Sequence, residues 1–170
     1  KQNGFLSGAT LIEAVIAVGV LAVAVPLVMG TIAEAGKSGM AAEAETRSTW
    51  MISTCMTEIN ASRVGQSRYF PATTTGQSFP SAGDVWALAF SPEGKPVGRL
   101  SKSQHDKGTK ELDGKPIRFI AVLEAVAPPV GSNTTTASGV TMLKTHISIQ
   151  YPAAAPATKR GKLDYYTLIP

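Results

Sequence analysis

The feature that most constrains this chain is a run of twenty residues without charge, from Ala14 to Ala33. Its length matches what a helix needs to cross a hydrocarbon core about 30 Å thick. A single acid, Glu13, stands directly before the run, and the nearest cation after it is Lys37. A carboxylate at the centre of a bilayer costs about 2.5–3.5 kcal/mol, so an acid on a membrane helix usually has a partner. The run itself supplies none.

The residues around Glu13 carry a motif. Gly8 is followed by Ala9 and then by the letters TLIE, which end at Glu13. This stretch resembles the N-terminus of type IV prepilins and of the pseudopilins of type II secretion, in which a leader ends in Gly and Glu is the fifth mature residue. The resemblance implies that a prepilin peptidase cuts after Gly8 and methylates the new amine of Ala9. It also implies that Glu13 pairs with the N-terminal amine of a neighbouring subunit, so that assembly neutralises the buried charge.

Two features differ from the usual pattern of that family. The first mature residue is commonly Phe, and the pair Gly4-Phe5 offers a second cleavage point that would make Glu13 the ninth mature residue. The family's helix-kinking proline lies further along than Pro26 does. Pro26 still removes one backbone donor and is expected to bend or loosen the helix.

A secretory signal peptide and a plain signal anchor are the alternatives for the N-terminal stretch. The apolar run is longer than the core of a signal peptide, and an acid precedes it in place of a basic cluster. A plain anchor needs no TLIE after Gly. The prepilin interpretation therefore accounts for more of the residues.

The chain divides into four predicted regions: a leader at 1–8, a membrane or filament-core half of a helix at 9–33, an amphipathic half at 34–64, and a head at 65–170. A single helix from about Thr10 to about Ser62 would be close to 80 Å long at 1.5 Å per residue. In its second half, apolar residues recur at spacings of three and four and therefore share one face. They are Ala44, Met51, Ile52, Cys55, Met56 and Ile59. Cys55 is the only cysteine, so it forms no internal disulfide and is expected to be a small buried apolar residue.

Several stretches of the head predict strands, at residues 85–90, 96–100, 117–126, 142–151 and 163–169. Apolar and polar side chains alternate best in 142–151, while in 117–126 both faces carry apolar residues. One helix followed by such strands predicts an α+β fold, in which a small antiparallel sheet packs on the helix. The resemblance implies the same pilin-like layout. Stretches rich in Pro, Gly, Ser, Thr or Ala predict loops at 70–83, 128–139 and 152–161.

The sequence offers no pattern typical of an enzyme. His105, which is expected in a polar loop, and His146, which is expected on the polar face of a strand, both lack a second ligand at metal-binding spacing. The sequence has no nucleophile elbow, phosphate loop or dinucleotide fingerprint. We therefore expect no catalysis, no cofactor and no metal site.

Seven cations crowd into residues 95–118, among three acids. A polyanion such as DNA would be bound by such cations through its phosphates. The simpler interpretation is a solvated loop that keeps the protein soluble, since no aromatic residue lies between Arg99 and Lys115 to stack on bases. The seven are Lys95, Arg99, Lys102, Lys107, Lys110, Lys115 and Arg118.

These features together predict a structural subunit of a type IV pilus-like or type II secretion pseudopilus filament, assembled through the N-terminal helix. The expected partners are other pilin or pseudopilin subunits, the prepilin peptidase, the inner-membrane assembly machinery and the membrane. Lys1 favours an N-terminus in the cytoplasm, a single pass through the inner membrane, and a periplasmic or extracellular head. The alternatives are a membrane-tethered adhesin or DNA-capture module that uses the basic segment, and a monomeric anchored enzyme.

Overall fold

One long helix, α1 (Leu11–Arg63), begins the described part of the chain. The computed structural model describes residues 10–73, 77–81, 83–126 and 143–169. The chain forms two compact units, Lys1–Gly39 and Met40–Pro170, and α1 contributes to both. The helix is continuous through Pro26, which deprives the carbonyl of Ala22 of its usual donor. Gly65, with a φ of 70°, follows the end of the helix.

The described part of the second unit contains the strands β1 (Trp86–Phe90), β2 (Pro96–Leu100), β3 (Glu111–Leu112), β4 (Lys115–Pro116), β5 (Phe119–Val126), β6 (Leu143–Tyr151) and β7 (Gly161–Ile169). Five of them form an antiparallel sheet in the order β2-β1-β5-β6-β7. These five match the predicted strands to within two residues at each end. The expected α+β layout, one long N-terminal helix packed on a small antiparallel sheet, is confirmed and is consistent with a pilin-like fold.

The main core lies between the sheet and the second half of α1. Met51, Cys55 and Ile59 are fully buried there, against Phe119 and Ile147 of the sheet. The apolar stripe read from the sequence is therefore the docking face of the helix. Burial raises the pKa of the Cys55 thiol above its ordinary value, which keeps the thiol protonated and unreactive, as expected for a core position.

The connection between α1 and β1 is attached to the core by aromatic residues. The rings of Phe70 and Phe79 stack against Trp86 with centroid distances of 4.7 and 4.4 Å. Phe79 also pairs through its backbone with Ala125. The predicted loop, 70–83, lies within this connection between Arg63 and Trp86, but its two phenylalanines are in the core.

Short elements that the sequence reading missed cover the sheet face opposite α1. They are α2 (Lys102–Lys107), the hairpin β3 (Glu111–Leu112) and β4 (Lys115–Pro116), and a 3-10 turn (Ala157–Lys159). Leu112, Ile117 and Ala153 pack there on the alanines of β1 and on Ile120. We call residues 101–116 and 153–162 the outer layer; it includes the first two residues of β7. The expectation that His105 lies in a loop was wrong, because Ser101 and Gln104 form a capping box that starts α2.

Gly108 joins the two parts of the outer layer. It has a φ of 85°, and a Cβ added there would lie 2.5 Å from the carbonyl oxygen of Ala155. Gly108→Ala is therefore expected to destabilise the fold by about 1–3 kcal/mol more than a substitution that only strains the backbone. Gly114→Ala is the matched control, since Gly114 has a φ of 72° and nothing within 4 Å of its Cβ position. Chemical denaturation of both variants measures the difference, and equal losses of stability would contradict the close packing at Gly108.

Candidate functional site

The first half of α1 is apolar and exposed. Leu11, Val23 and Ile32 are 85%, 71% and 66% accessible, and no part of the most apolar window is buried inside the structure. A helix that is apolar on all sides is stable only in lipid or packed against other helices. By length and composition, α1 can cross a membrane.

Glu13 lies at the start of this apolar half and caps it. Its Oε2 accepts a hydrogen bond of 2.8 Å from the backbone N–H of Thr10, and the Thr10 hydroxyl accepts one of 3.3 Å from the N–H of Glu13. This reciprocal pair is a capping box, the T-x-x-E pattern that starts helices. The sequence reading missed this role, although the spacing from Thr10 to Glu13 could have indicated it. Within the described ranges, no cation forms an ion pair with Glu13.

The predictions for the other N-terminal site residues are not tested by the structure. Gly8, Ala9 and the alternative cleavage point at Gly4 lie outside the described residues, so processing stays a prediction. Pro26 lies inside α1, and its effect on the direction of the helix also stays a prediction.

The helix face that points away from the sheet carries little charge between residues 40 and 63. Trp50 is 76% accessible, and Glu45 is exposed. Glu43 and Arg47, which pair with each other and line a hollow beside Trp50, are 30% and 39% exposed. The hydroxyls of Thr46 and Thr57 donate to the helix carbonyls four residues earlier, at 2.9 and 3.0 Å. Their donors are therefore satisfied within the helix, which lowers the cost of removing this face from water. We call this face the Trp50 face, composed of Ala42, Thr46, Thr49, Trp50, Ser53 and Thr57.

His146 lies on the polar face of β6, as expected, and joins three strands. Its Nε2 is 2.9 Å from Oδ1 of Asp164 on β7, and its Nδ1 is 3.6 Å from Oε2 of Glu124 on β5. The ring stacks on Tyr166 at 4.6 Å. Hydrogen bonds from Ser148 and from His146 lower the pKa of Asp164. Among the described residues no group of three or more His, Cys, Asp or Glu could hold a metal ion. The contacts of His146 link β5, β6 and β7 to one another.

His105 and Arg160 hold the outer layer on the sheet. The Nη1 of Arg160 donates to Oε1 of Gln150 at 3.0 Å, and its Nη2 donates to the backbone carbonyl of His105. The imidazole of His105 also contacts Gln150, at 3.2 Å. Arg160 is buried, and this desolvation lowers its pKa. The network fixes α2 and the segment before β7 to one end of β6.

The seven cations of the basic segment do not share one surface. Arg99 pairs with Asp84 at 2.8 Å, and Arg118 pairs with Glu43 of α1 at 2.7 Å. These two arginines therefore form ion pairs within the head. Lys95 lies in the turn between β1 and β2, whereas the remaining lysines are in the outer layer: Lys102, Lys107, Lys110 and Lys115.

Comparisons with models of protein families, with curated proteins and with solved structures gave no match. The resemblance of residues 8–33 to prepilins therefore stays a prediction from the sequence.

Proposed function

We propose that this chain is a structural subunit of a filament of the type IV pilin or type II pseudopilin class, held in a membrane by the first half of α1 before it assembles. The observation that carries the proposal is the apolar, membrane-length first half of α1, which has a lone carboxylate, Glu13, in its first turn, five residues after Gly8. In this role the prepilin peptidase cuts after Gly8 and methylates Ala9. The cytoplasmic membrane is the proposed location, with the head outside the cytoplasm.

The exposed first half of α1 supports assembly through helices. Its side chains have no cover within the described chain, so lipid covers them in the membrane and other copies of the helix cover them in a filament. Because lipid tails are as apolar as these side chains, transfer from lipid to a helical bundle is driven by packing and by polar contacts. Small residues such as Gly19 and Gly30, which have nothing within 4 Å of their Cβ positions, allow close helix contacts.

The charge of Glu13 supports pairing between subunits. The capping box satisfies part of the hydrogen-bonding capacity of the carboxylate, but it leaves the negative charge without a counter-charge. A methylated amine on Ala9 of a neighbouring subunit would supply the positive charge. A buried carboxylate is stable when it is both hydrogen-bonded and paired, and the two contacts together meet that condition.

The Trp50 face supports further contacts beyond the membrane. It continues along the helix after the apolar half, and tryptophan is among the residues that contribute most to protein interfaces. A neighbouring helix packed on these six residues would bury Trp50 among uncharged side chains.

The mass of the N-terminus tests the proposal. The full chain is expressed with and without a prepilin peptidase, and the membrane fraction is measured by mass spectrometry. We expect the peptidase to remove all residues up to Gly8 and to add one methyl group to Ala9. Gly8→Val should block this cut, and Gly4→Val is the matched control that should leave it unchanged. An N-terminus that the peptidase does not alter would overturn the proposal, while cutting after Gly4 would move Glu13 to the ninth position and remove the pairing argument.

A further inference from the structure

The net charge of this protein lies in the outer layer. Residues 101–116 and 153–162 hold seven cations and three acids, whereas the rest of the second unit holds seven of each. The first unit holds two of each. The formal charge of +4 is therefore the excess of this one layer, which covers the sheet face opposite α1.

The outer layer has six exposed lysines, of which one, Lys102, donates to the carbonyl of Gly83 at 3.4 Å. In the part of the chain that the structure describes, no carboxylate forms an ion pair with any of the other five. Of the arginines nearby, Arg160 is buried and Arg118 is paired with Glu43. The excess charge is thus presented by flexible ammonium groups, and we call these residues the lysine face: Lys107, Lys110, Lys115, Lys159 and Lys162.

Two backbone hydrogen bonds connect the lysine face to the end of the sheet next to Glu43. The N–H of Thr109 donates to the carbonyl of Ala153 at 3.1 Å, and the N–H of Ala153 donates to the carbonyl of Arg118 at 2.9 Å. The guanidinium of Arg118 then contacts Glu43 at 2.7 Å. The positive layer is therefore attached near the point where α1 enters the head.

Chain length limits how far this attachment lies from a bilayer. Ten residues join Ala33, the end of the apolar run, to Glu43. They span about 15 Å as a helix and no more than about 35 Å when fully extended. Anionic lipid headgroups are therefore always present at high effective concentration near the head of an anchored chain.

A second copy of the chain is a poor match for the lysine face. Outside the outer layer the formal charges balance, so another copy offers no net negative charge, and its own lysine face would repel the first. A surface with a net negative charge is the better match.

We propose that the lysine face binds anionic phospholipid headgroups of the membrane that holds the first half of α1. This inference rests on the membrane-anchored state in the proposed function and is independent of filament assembly. Basic residues close to an anionic bilayer are attracted to it, and each lysine near the surface contributes roughly a fivefold gain in affinity. The contact holds the head against the membrane surface before assembly.

Lysine labelling in nanodiscs tests this inference. The full chain is placed in discs of phosphatidylcholine, with or without a third of phosphatidylglycerol, and an amine-reactive ester is added. We expect the five lysines to react several-fold more slowly in the anionic discs only. Raising the salt from about 0.1 M to about 1 M shortens the Debye length from about 10 Å to about 3 Å and should restore their reactivity. Lys144, an exposed lysine on β6, is the internal control.

Each other outcome overturns the inference. Equal labelling in both lipids, or equal slowing of Lys144, would show that the lysine face has no specific lipid contact. Protection by duplex DNA in neutral discs, with none from phosphatidylglycerol, would assign the face to nucleic acid. Failure of the chain to enter neutral discs would instead remove the membrane anchor itself, which is a separate readout.

Discussion

Glu13→Gln is expected to abolish filament assembly while leaving a processed protein in the membrane. Glutamine keeps an oxygen that can accept the N–H of Thr10, so the capping box survives the change. The negative charge is lost, and the amine of the neighbouring subunit is left without its counter-charge. Breaking one partner of a buried ion pair costs about 3–5 kcal/mol, which corresponds to a loss of more than about a hundredfold in the assembly constant. Electron microscopy and the yield of sedimented filaments measure this loss.

Thr10→Ala is the matched control for the cap. It removes the hydroxyl that accepts the N–H of Glu13 but keeps the carboxylate. The expected cost is about 1 kcal/mol of helix stability, with filaments still formed. If Glu13→Gln assembles normally while Glu13→Ala does not, the carboxylate serves as a cap alone and the pairing hypothesis is wrong.

The helix and its docking face could be predicted because their signals are local and periodic. Apolar spacings of three and four placed Met51, Cys55 and Ile59 on one face, and the structure buries all three. The strands were predictable for the same reason, since alternation in β6 determines which side chains meet the core. The uncharged run from Ala14 to Ala33 identified the membrane-length half without any tertiary information.

The outer layer could not be predicted, because its structure depends on contacts between distant residues. In the sequence, Gly108 cannot be told from an ordinary loop glycine. Only the structure shows that the carbonyl of Ala155 lies beside it. Arg99 and Arg118 read as members of one basic cluster, yet their partners Asp84 and Glu43 lie 15 and 75 positions away. Only the structure shows which cations form ion pairs within the head and which lysines are exposed.

Met51→Ala is expected to destabilise the head strongly and Trp50→Ala hardly at all, although the two residues are adjacent. Met51 is fully buried against the sheet, and truncating such a side chain costs about 2–5 kcal/mol because it leaves a cavity. Trp50 is 76% accessible on the opposite face, so its loss should change the free energy of unfolding by no more than about 0.5 kcal/mol. Denaturant unfolding of the full chain in detergent, followed by circular dichroism, measures both.

Filament yield then separates stability from assembly. Trp50→Ala should reduce assembly by about tenfold or more, since truncating a central interface tryptophan commonly costs 2 kcal/mol or more. Met51→Ala should lower assembly only in proportion to the fraction of unfolded head. A Trp50→Ala variant that forms filaments as the unmodified chain does would show that the Trp50 face is not an interface, and the head would then contact its neighbours elsewhere. If Met51→Ala lowers the free energy of unfolding by less than about 1 kcal/mol, the packing of the helix on the sheet is contradicted, since truncating a well-packed methionine costs more than that.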